Sequence, residues 1–174
     1  MSRATLITGG NIGDVRGALA AAEKLIAECA GTVVARSAVR ESAAWGDFCD
    51  GDDDSETGGL FLNQALIVET SLSPADLLDA LQKIEKELGR ASTSLSDRRG
   101  ENTRATRTYF SRPIDIDILF YDDLVIHTDR LTIPHPLIAE REFVLRPLVD
   151  LMPDYPHPVT GKTPREMLKA LTAG

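Results

Sequence analysis

The sequence has few cysteines and no long apolar run. Its two cysteines, Cys29 and Cys49, are too few and too isolated for a disulfide framework or a zinc site, so a reducing cytoplasm is the expected location. No apolar run approaches the ~18 residues that a membrane helix needs. The first residues lead into a strand-like stretch, which is not typical of a signal peptide. A membrane protein or a disulfide-rich secreted protein is therefore not expected.

Aromatic residues are also scarce, at 5%, but the rest of the composition is ordinary for a globular protein. Hydrophobic residues make up 43% and charged residues 26% of the 174 positions. This length suits one domain of roughly 100–200 residues, so we expect residues 1–174 to form a single domain. A monomer is the expected state, although chain length does not determine it. The net charge of −8 makes nucleic acid and membrane surfaces unexpected partners.

The charges are unevenly distributed along the chain. Residues 47–59 contain six acidic residues and no base, whereas residues 90–112 contain six arginines and two acidic residues. Neither segment has an apolar period, so both are predicted to be loops. The acidic segment is interpreted as a solvated loop, because Ser55 and Phe61 stand where a calcium loop needs Gly and Glu. For the basic segment, phosphate binding and plain solvation remain equally open, since guanidinium groups suit phosphate oxygens.

Apolar periodicity predicts a β-α-β-β-α-β order. The predicted strands are residues 4–8, 32–43, 60–71 and 114–121, and the predicted helices are residues 14–30 and 73–89. This order is typical of the α+β, ferredoxin-like arrangement, an antiparallel sheet with two helices on one face. The proline-rich residues 122–174 are predicted to be a C-terminal extension that wraps the core, with short helices at 136–142 and 164–171.

The segment Arg112-Pro113-Ile114-Asp115-Ile116-Asp117-Ile118-Leu119-Phe120 carries the strongest local pattern. Strand alternation places the three isoleucines on one face and both aspartates on the other, ~7 Å apart along the backbone. Such a pair suits magnesium, which completes its shell with water and substrate phosphates. An exposed polar strand face is the alternative, but the neighbouring arginines favour metal and phosphate.

Familiar nucleotide motifs are absent from the sequence. Gly161-Lys162-Thr163 ends like a phosphate-binding loop, but Pro156 stands where that motif needs its first Gly. The run from Gly9 to Gly13 lacks dinucleotide-binding spacing and is interpreted as a strand-to-helix turn.

Short motifs in order along the whole chain resemble the 6-hydroxymethyl-7,8-dihydropterin pyrophosphokinase family. They are Gly9-Gly10-Asn11-Ile12-Gly13-Asp14, Ser42-Ala43-Ala44-Trp45-Gly46, Phe61-Leu62-Asn63, Glu69-Thr70-Ser71-Leu72, Ile84-Glu85, Gly89-Arg90, Arg112-Pro113-Ile114-Asp115-Ile116-Asp117, Arg130-Leu131-Thr132-Ile133-Pro134-His135-Pro136, Arg141-Glu142-Phe143-Val144-Leu145-Arg146-Pro147-Leu148 and His157-Pro158. Arg40 departs from the pattern, because the family often has Tyr there.

The resemblance implies an enzyme of folate biosynthesis that transfers the pyrophosphoryl group of ATP to the pterin hydroxymethyl group and releases AMP. Asp115 and Asp117 would hold two magnesium ions, and with Arg112 they form the implied catalytic set. The implied pterin site consists of Ser42, Ala44, Trp45, Phe61, Asn63 and Phe143, with Asn63 hydrogen-bonding the pterin and Phe143 stacking on it. The implied ATP site consists of Gln82, Glu85, Arg90, Arg112, Ile118, Arg130, Thr132, His135 and Arg141. Arg98, Arg99, Arg104 and Arg107 have no individual assignment, but some are expected to close over ATP as a lid.

The sequence leaves two other classes of function open. A non-catalytic ferredoxin-like module that binds a nucleotide or metal would not need a pterin pocket, so Asn63 with its aromatic neighbours favours the enzyme. A nucleic-acid-binding domain that uses the basic segment ranks last, because that segment has few interleaved aromatics and the rest of the chain is acidic.

Overall fold

The computed structural model describes residues 1–11, 14–42, 61–96 and 114–173, and it confirms the predicted β-α-β-β-α-β order. The strands are β1 (Ser2–Gly10), β2 (Thr32–Arg36), β3 (Arg40–Ser42), β4 (Phe61–Thr70), β5 (Asp115–Tyr121), β6 (Ile126–His127) and β7 (Thr132–Ile133). The α-helices are α1 (Val15–Cys29), α2 (Pro74–Ser96), α3 (Glu142–Leu151) and α4 (Pro164–Thr172). Within these ranges no helix is both long and apolar enough to cross a membrane.

The main sheet is antiparallel and has β1 near its middle. β1 pairs with β4 on one side and with β5 on the other, and β2 and β3 both pair along the far edge of β4. The resulting order, β2-β4-β1-β5, brings the first and last strands of the predicted core side by side. The ends of β1, β4 and β5 therefore meet in one region of the sheet.

The two faces of the sheet carry separate apolar clusters. One face packs against α1 and α2 through Leu6, Leu19, Ile26, Leu66, Leu81 and Ile116 among others. The opposite face packs against α3 and α4 through Ile7, Ala65, Leu119, Val144, Leu145 and Met167 among others. The prediction of two helices on one face and a wrapping C-terminal extension is thus confirmed, and the extension covers the second face.

Three local predictions beyond the β1–α1 connection were wrong. The strand predicted at 32–43 is broken between Arg36 and Arg40. At Ser37 the backbone amide still donates to the Ala65 carbonyl at 2.9 Å, but it is the Ser37 Oγ that accepts from the Ala65 amide, also at 2.9 Å. The helix predicted to end at Gly89 continues to Ser96, so residues 90–96 of the basic segment are helical and not a loop. At 136–142 only a single 3-10 turn forms, Ile138–Glu140, and the real helix begins at Glu142.

A β-bulge in β5 lies where the segment that follows β7 contacts this strand. The register between β1 and β5 shifts between Thr5 and Leu6, and both Leu119 and Phe120 consequently pack on the α3 side of the sheet. The Leu119 carbonyl accepts from the His135 amide at 3.0 Å. This bond ties His135 to β5, the strand that carries both aspartates.

Candidate active site

Strand register lines up four residues across the α3 face of the sheet. Arg40 is opposite Asn63, Asn63 is opposite Gly9, and Gly9 is opposite Asp115. Two residues earlier in β1, Ile7 is opposite Asp117. Side chains alternate along a strand, so both aspartates share a face with Asn63 and point away from the α1–α2 core.

A pocket of about 240 Å³ lies over these rows. Its lining residues come from β1, β3, β4, β5 and the start of α3: Ile7, Gly9, Ser42, Phe61, Asn63, Asp115, Asp117, Arg141 and Phe143. The structure therefore brings together every residue of the predicted pterin site that it describes, together with both predicted metal ligands and one predicted ATP residue.

Asn63 is held in one orientation by its neighbours. Its side chain is 5% exposed, and its Nδ2 donates to the Ser42 Oγ at 3.4 Å. A Cβ on Gly9 would lie 2.2 Å from the Asn63 Oδ1, so only glycine leaves room for the amide where it is. A largely buried amide in an open pocket can offer a donor and an acceptor to a ligand along one edge.

Asp115 and Asp117 form the acidic side of the pocket. Asp115 is exposed and Asp117 half-buried, and the intervening Ile116 is buried in the opposite core. The Ile116 amide donates to the Glu85 Oε1 at 2.7 Å, a bond that ties β5 to α2. No group of three or more His, Cys, Asp or Glu suitable for a metal occurs in the part of the chain that the structure describes. Two carboxylates fit magnesium, which takes its other ligands from water and substrate phosphates.

The first turn of α3 supplies the basic and aromatic side of the pocket. The Arg141 guanidinium lies 5.5 Å from the centre of the Phe143 ring, within the range of a cation–π contact. Both residues line the pocket, and both side chains are half-buried. A flat ring and a fixed positive charge thus stand beside the two carboxylates.

His135 lies at the edge of the same region. Burial lowers the pKa of the His135 imidazole, the Asp117 carboxylate raises it, and Arg141 lowers it further. Its Nδ1 accepts from the Leu137 amide at 3.2 Å, so this ring nitrogen is already used within the turn. A neutral imidazole near pH 7 follows from the net lowering.

The other predicted ATP residues do not line this pocket. Arg130 donates to the Asp79 Oδ1 at 2.5 Å and borders a separate depression, while Ile118 is 4% exposed within the α1–α2 core. Gln82 is exposed on α2, and Thr132 is half-buried in β7. The remaining predictions lie outside the described side chains: Ala44, Trp45, Arg90, Arg98, Arg99, Arg104, Arg107, Arg112 and the acidic segment 47–59.

Two lining residues, Ile7 and Gly9, were missed at the sequence level. Interpreting Gly9 and Gly10 as the start of a turn was wrong, because both belong to β1. Glycine at consecutive positions next to an apolar strand was the available signal, since glycine within a strand often marks a close approach of another group. Only the cross-strand register identifies that group as Asn63.

Comparison with known proteins gives matches over most of the chain. A family model described as 7,8-dihydro-6-hydroxymethylpterin-pyrophosphokinase matches residues 5–153. The 2-amino-4-hydroxy-6-hydroxymethyldihydropteridine pyrophosphokinase of Methylorubrum extorquens is 38% identical over 172 residues, which cover 98% of this chain and 94% of that protein. The protein of the same name from Aquifex aeolicus is 37% identical over 167 residues, covering 95% and 90% respectively.

A solved structure supports the fold. The wild-type HPPK-DHPS of Plasmodium falciparum with SDX-DHP aligns with a TM-score of 0.73, covering 99% of this chain and 44% of that one. The two sequences are 18% identical in this alignment. The likeness therefore shows a shared ferredoxin-like architecture with one part of a longer protein.

Proposed function

The chain belongs to the 7,8-dihydro-6-hydroxymethylpterin-pyrophosphokinase family, the pyrophosphokinases of folate biosynthesis, and from that membership we propose its detailed reaction and site. The pyrophosphoryl donor is ATP, the acceptor is the hydroxymethyl group of 6-hydroxymethyl-7,8-dihydropterin, and AMP is released. The hydroxyl oxygen attacks the β-phosphorus in line, forming a bond to it as the bond from that phosphorus to the α-phosphate oxygen breaks.

One observation carries the proposal: the pocket places a buried amide and aromatic rings directly beside two carboxylates. Asn63, Phe61 and Phe143 line the same cavity as Asp115 and Asp117. A volume of about 240 Å³ lies below the range typical of drug-sized ligands, and it suits a small heterocycle better than a whole nucleotide. The pterin would therefore occupy the pocket and present its hydroxymethyl group toward the aspartates.

Each pterin contact has a physical basis. The Asn63 amide would donate and accept hydrogen bonds along the polar edge of the pterin, and Gly9 keeps that amide in place. Phe143, together with Phe61 and Trp45, would provide apolar surfaces for the flat ring. Ser42 and Ala44 would form the rim. Because these contacts fix position and orientation, they raise the rate by holding the attacking oxygen near the phosphorus.

The charged residues would act on the triphosphate. Asp115 and Asp117 would hold two magnesium ions, which when bound neutralise phosphate charge and lower the pKa of the attacking hydroxyl. Arg141 and Arg112 would stabilise the negative charge that spreads over the phosphate oxygens. The other proposed ATP contacts are Gln82, Glu85, Arg90, Ile118, Arg130, Thr132 and His135. For Arg130 this requires release from Asp79, and Ile118 would contribute through the backbone or the shape of β5.

We further propose that residues 1–174 work as one monomeric domain in the cytoplasm. Two apolar clusters on opposite faces of a single sheet support the single domain.

An AMP-release assay tests the proposal. Purified protein with ATP and magnesium should form AMP only when 6-hydroxymethyl-7,8-dihydropterin is present, with the diphosphorylated pterin formed in equal amount. The alternative of a non-catalytic nucleotide- or metal-binding module predicts ATP binding without AMP formation. AMP formation that does not depend on the pterin would contradict the proposed acceptor.

A further inference from the structure

A charged pair joins the two walls of the pocket at a point outside it. Arg40 in β3 donates from Nε and from Nη2 to the two carboxylate oxygens of Asp150 in α3, at 2.7 and 2.6 Å. The side chains are 42% and 25% exposed, and neither residue lines the pocket. A two-point contact between a guanidinium and a carboxylate fixes relative orientation as well as distance.

Arg40 and Asp150 each share a face of their strand or helix with a residue that lines the pocket. Arg40 lies two residues before Ser42 in β3, so the two side chains share a face of the strand. Asp150 lies seven residues after Phe143 in α3, which is two helical turns, so these side chains share a face of the helix. Arg40 is also opposite Asn63 in the β3–β4 register.

Among the residues that the structure describes, few other side-chain contacts hold the short strand β3, and one of them is the 3.4 Å bond from Asn63 to Ser42. It spans only Arg40–Ser42 and lies at the edge of the sheet, where it pairs with β4 alone. On the opposite face, Glu41 is 3.7 Å from Arg16 of α1, a long contact for an ion pair. Within the described ranges, the Arg40–Asp150 contact is therefore the short side-chain link between β3 and α3.

We propose that Arg40 and Asp150 are positioning residues that set the gap between Phe143 on one wall and Ser42 and Asn63 on the other, and thereby the affinity for the pterin. The inference rests on the proposed pterin site. A flat ring gains from simultaneous stacking and edge hydrogen bonding only if the two walls are at the correct separation. Because an exposed ion pair contributes little to folding stability, removing this pair should leave the protein folded.

The test is a double-mutant cycle with pterin affinity as its main readout. Arg40→Ala, Asp150→Ala and the double variant are compared by titration calorimetry with 6-hydroxymethylpterin, in the presence of magnesium and a non-hydrolysable ATP analogue. Each single variant should raise the pterin Kd about two- to fivefold, because an exposed ion pair can bias the separation of the two walls by no more than its own small free energy. The double variant should be no weaker than either single variant, because both remove one interaction.

Steady-state kinetics separates positioning from loss of folded protein. The pterin KM should rise in parallel with Kd, while kcat at saturating pterin stays within about twofold and the thermal midpoint shifts by a few degrees at most. Arg40→Lys, which keeps the charge but loses the two-point contact, should fall between wild type and Arg40→Ala.

Arg36→Ala is the matched control. Arg36 of β2 is 2.9 Å from Glu23 of α1, so it also ties an edge strand to a helix, but on the face opposite the pocket. This variant should bind the pterin as wild type does. An equal loss of pterin affinity in Arg36→Ala would overturn the inference, since a general effect of edge strands would then explain the data.

A reference variant distinguishes failure of this inference from failure of the proposed site. If Phe143→Ala weakens pterin binding while Arg40→Ala and Asp150→Ala do not, the positioning role is wrong and the site stands. Additive losses in the double variant would likewise contradict a shared action. If Phe143→Ala binds the pterin normally, the proposed pterin site is wrong, and the positioning role falls with it.

Discussion

Replacing Gly9 with alanine should weaken pterin binding, because it displaces the side-chain amide of Asn63. The new Cβ would lie 2.2 Å from the Asn63 Oδ1 and 3.2 Å from its Cγ, and contacts below 3.0 Å are not tolerated. The amide must therefore rotate or move away, and its bond to Ser42 breaks as well. Glycine is required here by close approach and not by a special backbone angle, because Gly9 lies in the regular part of β1.

The size of the loss follows from the hydrogen bonds at stake. If the Asn63 amide makes two bonds to the pterin, each contributing about 1–1.5 kcal/mol, their loss costs about 2–3 kcal/mol. This corresponds to a decrease of roughly 30- to 150-fold in kcat/KM for the pterin, mostly through KM. Overfilling a close-packed site also lowers the free energy of unfolding, by about 1–3 kcal/mol.

A second variant, Asn63→Ala, shows whether displacement of the Asn63 amide causes the loss of kcat/KM. Asn63→Ala alone should cost about as much kcat/KM as Gly9→Ala, and combining them should add little, because the alanine at 63 removes the clashing amide. AMP formation at varied pterin concentration measures all four proteins, and far-ultraviolet circular dichroism verifies folding. Multiplicative losses in the double variant, or a Gly9→Ala protein with normal pterin KM, would refute the reasoning.

Two further predictions concern stability. His157 accepts at Nδ1 from the Val159 and Thr160 amides at 3.1 and 3.2 Å, and burial lowers the pKa of its imidazole below the ordinary 6.5. The unfolded chain therefore binds a proton at this residue at higher pH than the folded protein does. The free energy of unfolding should consequently decrease as pH falls through about 6.5. His157→Asn, which retains an acceptor, should show a smaller drop in thermal midpoint between about pH 8 and about pH 5.5, and an unchanged drop would rule out this residue as the source. Gly89→Ala should raise the free energy of unfolding by about 0.5–1 kcal/mol in urea titrations, because α2 runs through this position and a Cβ there meets nothing within 4 Å. A destabilised variant would mean that Gly89 is needed for another reason.

The core of the fold was predictable because it follows local periodicity. Strand alternation correctly placed Asp115 and Asp117 opposite the buried Ile116, and helical spacing correctly identified the helices of the α1–α2 face. These patterns show which face of each strand or helix is buried. That information was sufficient to predict the order of strands and helices along the chain.

Features that depend on partners distant in sequence were not predictable. The helix α3 contains Pro147, which argues locally against a helix, yet Leu145 and Leu148 are fully buried against the sheet. Similarly, the strand is interrupted at Ser37, whose Oγ accepts from the amide of Ala65, a residue distant in sequence. Tertiary contacts override local preference in both cases.

Some residues of the candidate site were likewise predictable from the sequence, and others were not. Residue types and motif order indicated Asn63, Phe143 and the two aspartates, but not the glycine that gives the amide its space. That relation exists only in the register between β1 and β4. The Arg40–Asp150 pair also depends on how α3 lies against β3, which no pattern within either segment records.

The most direct test of the central claim is single-turnover AMP formation by Asp117→Ala with bound pterin, over a magnesium series. Asp117 lines the pocket, and the pterin contacts that we propose for Asn63 and Phe143 do not involve its carboxylate. We predict that pterin binding measured without nucleotide stays within about threefold of wild type, whereas the rate of AMP formation falls at least ~1,000-fold and does not recover at high magnesium. A variant that forms AMP at near wild-type rate would contradict the assignment of this pocket as the site of pyrophosphoryl transfer.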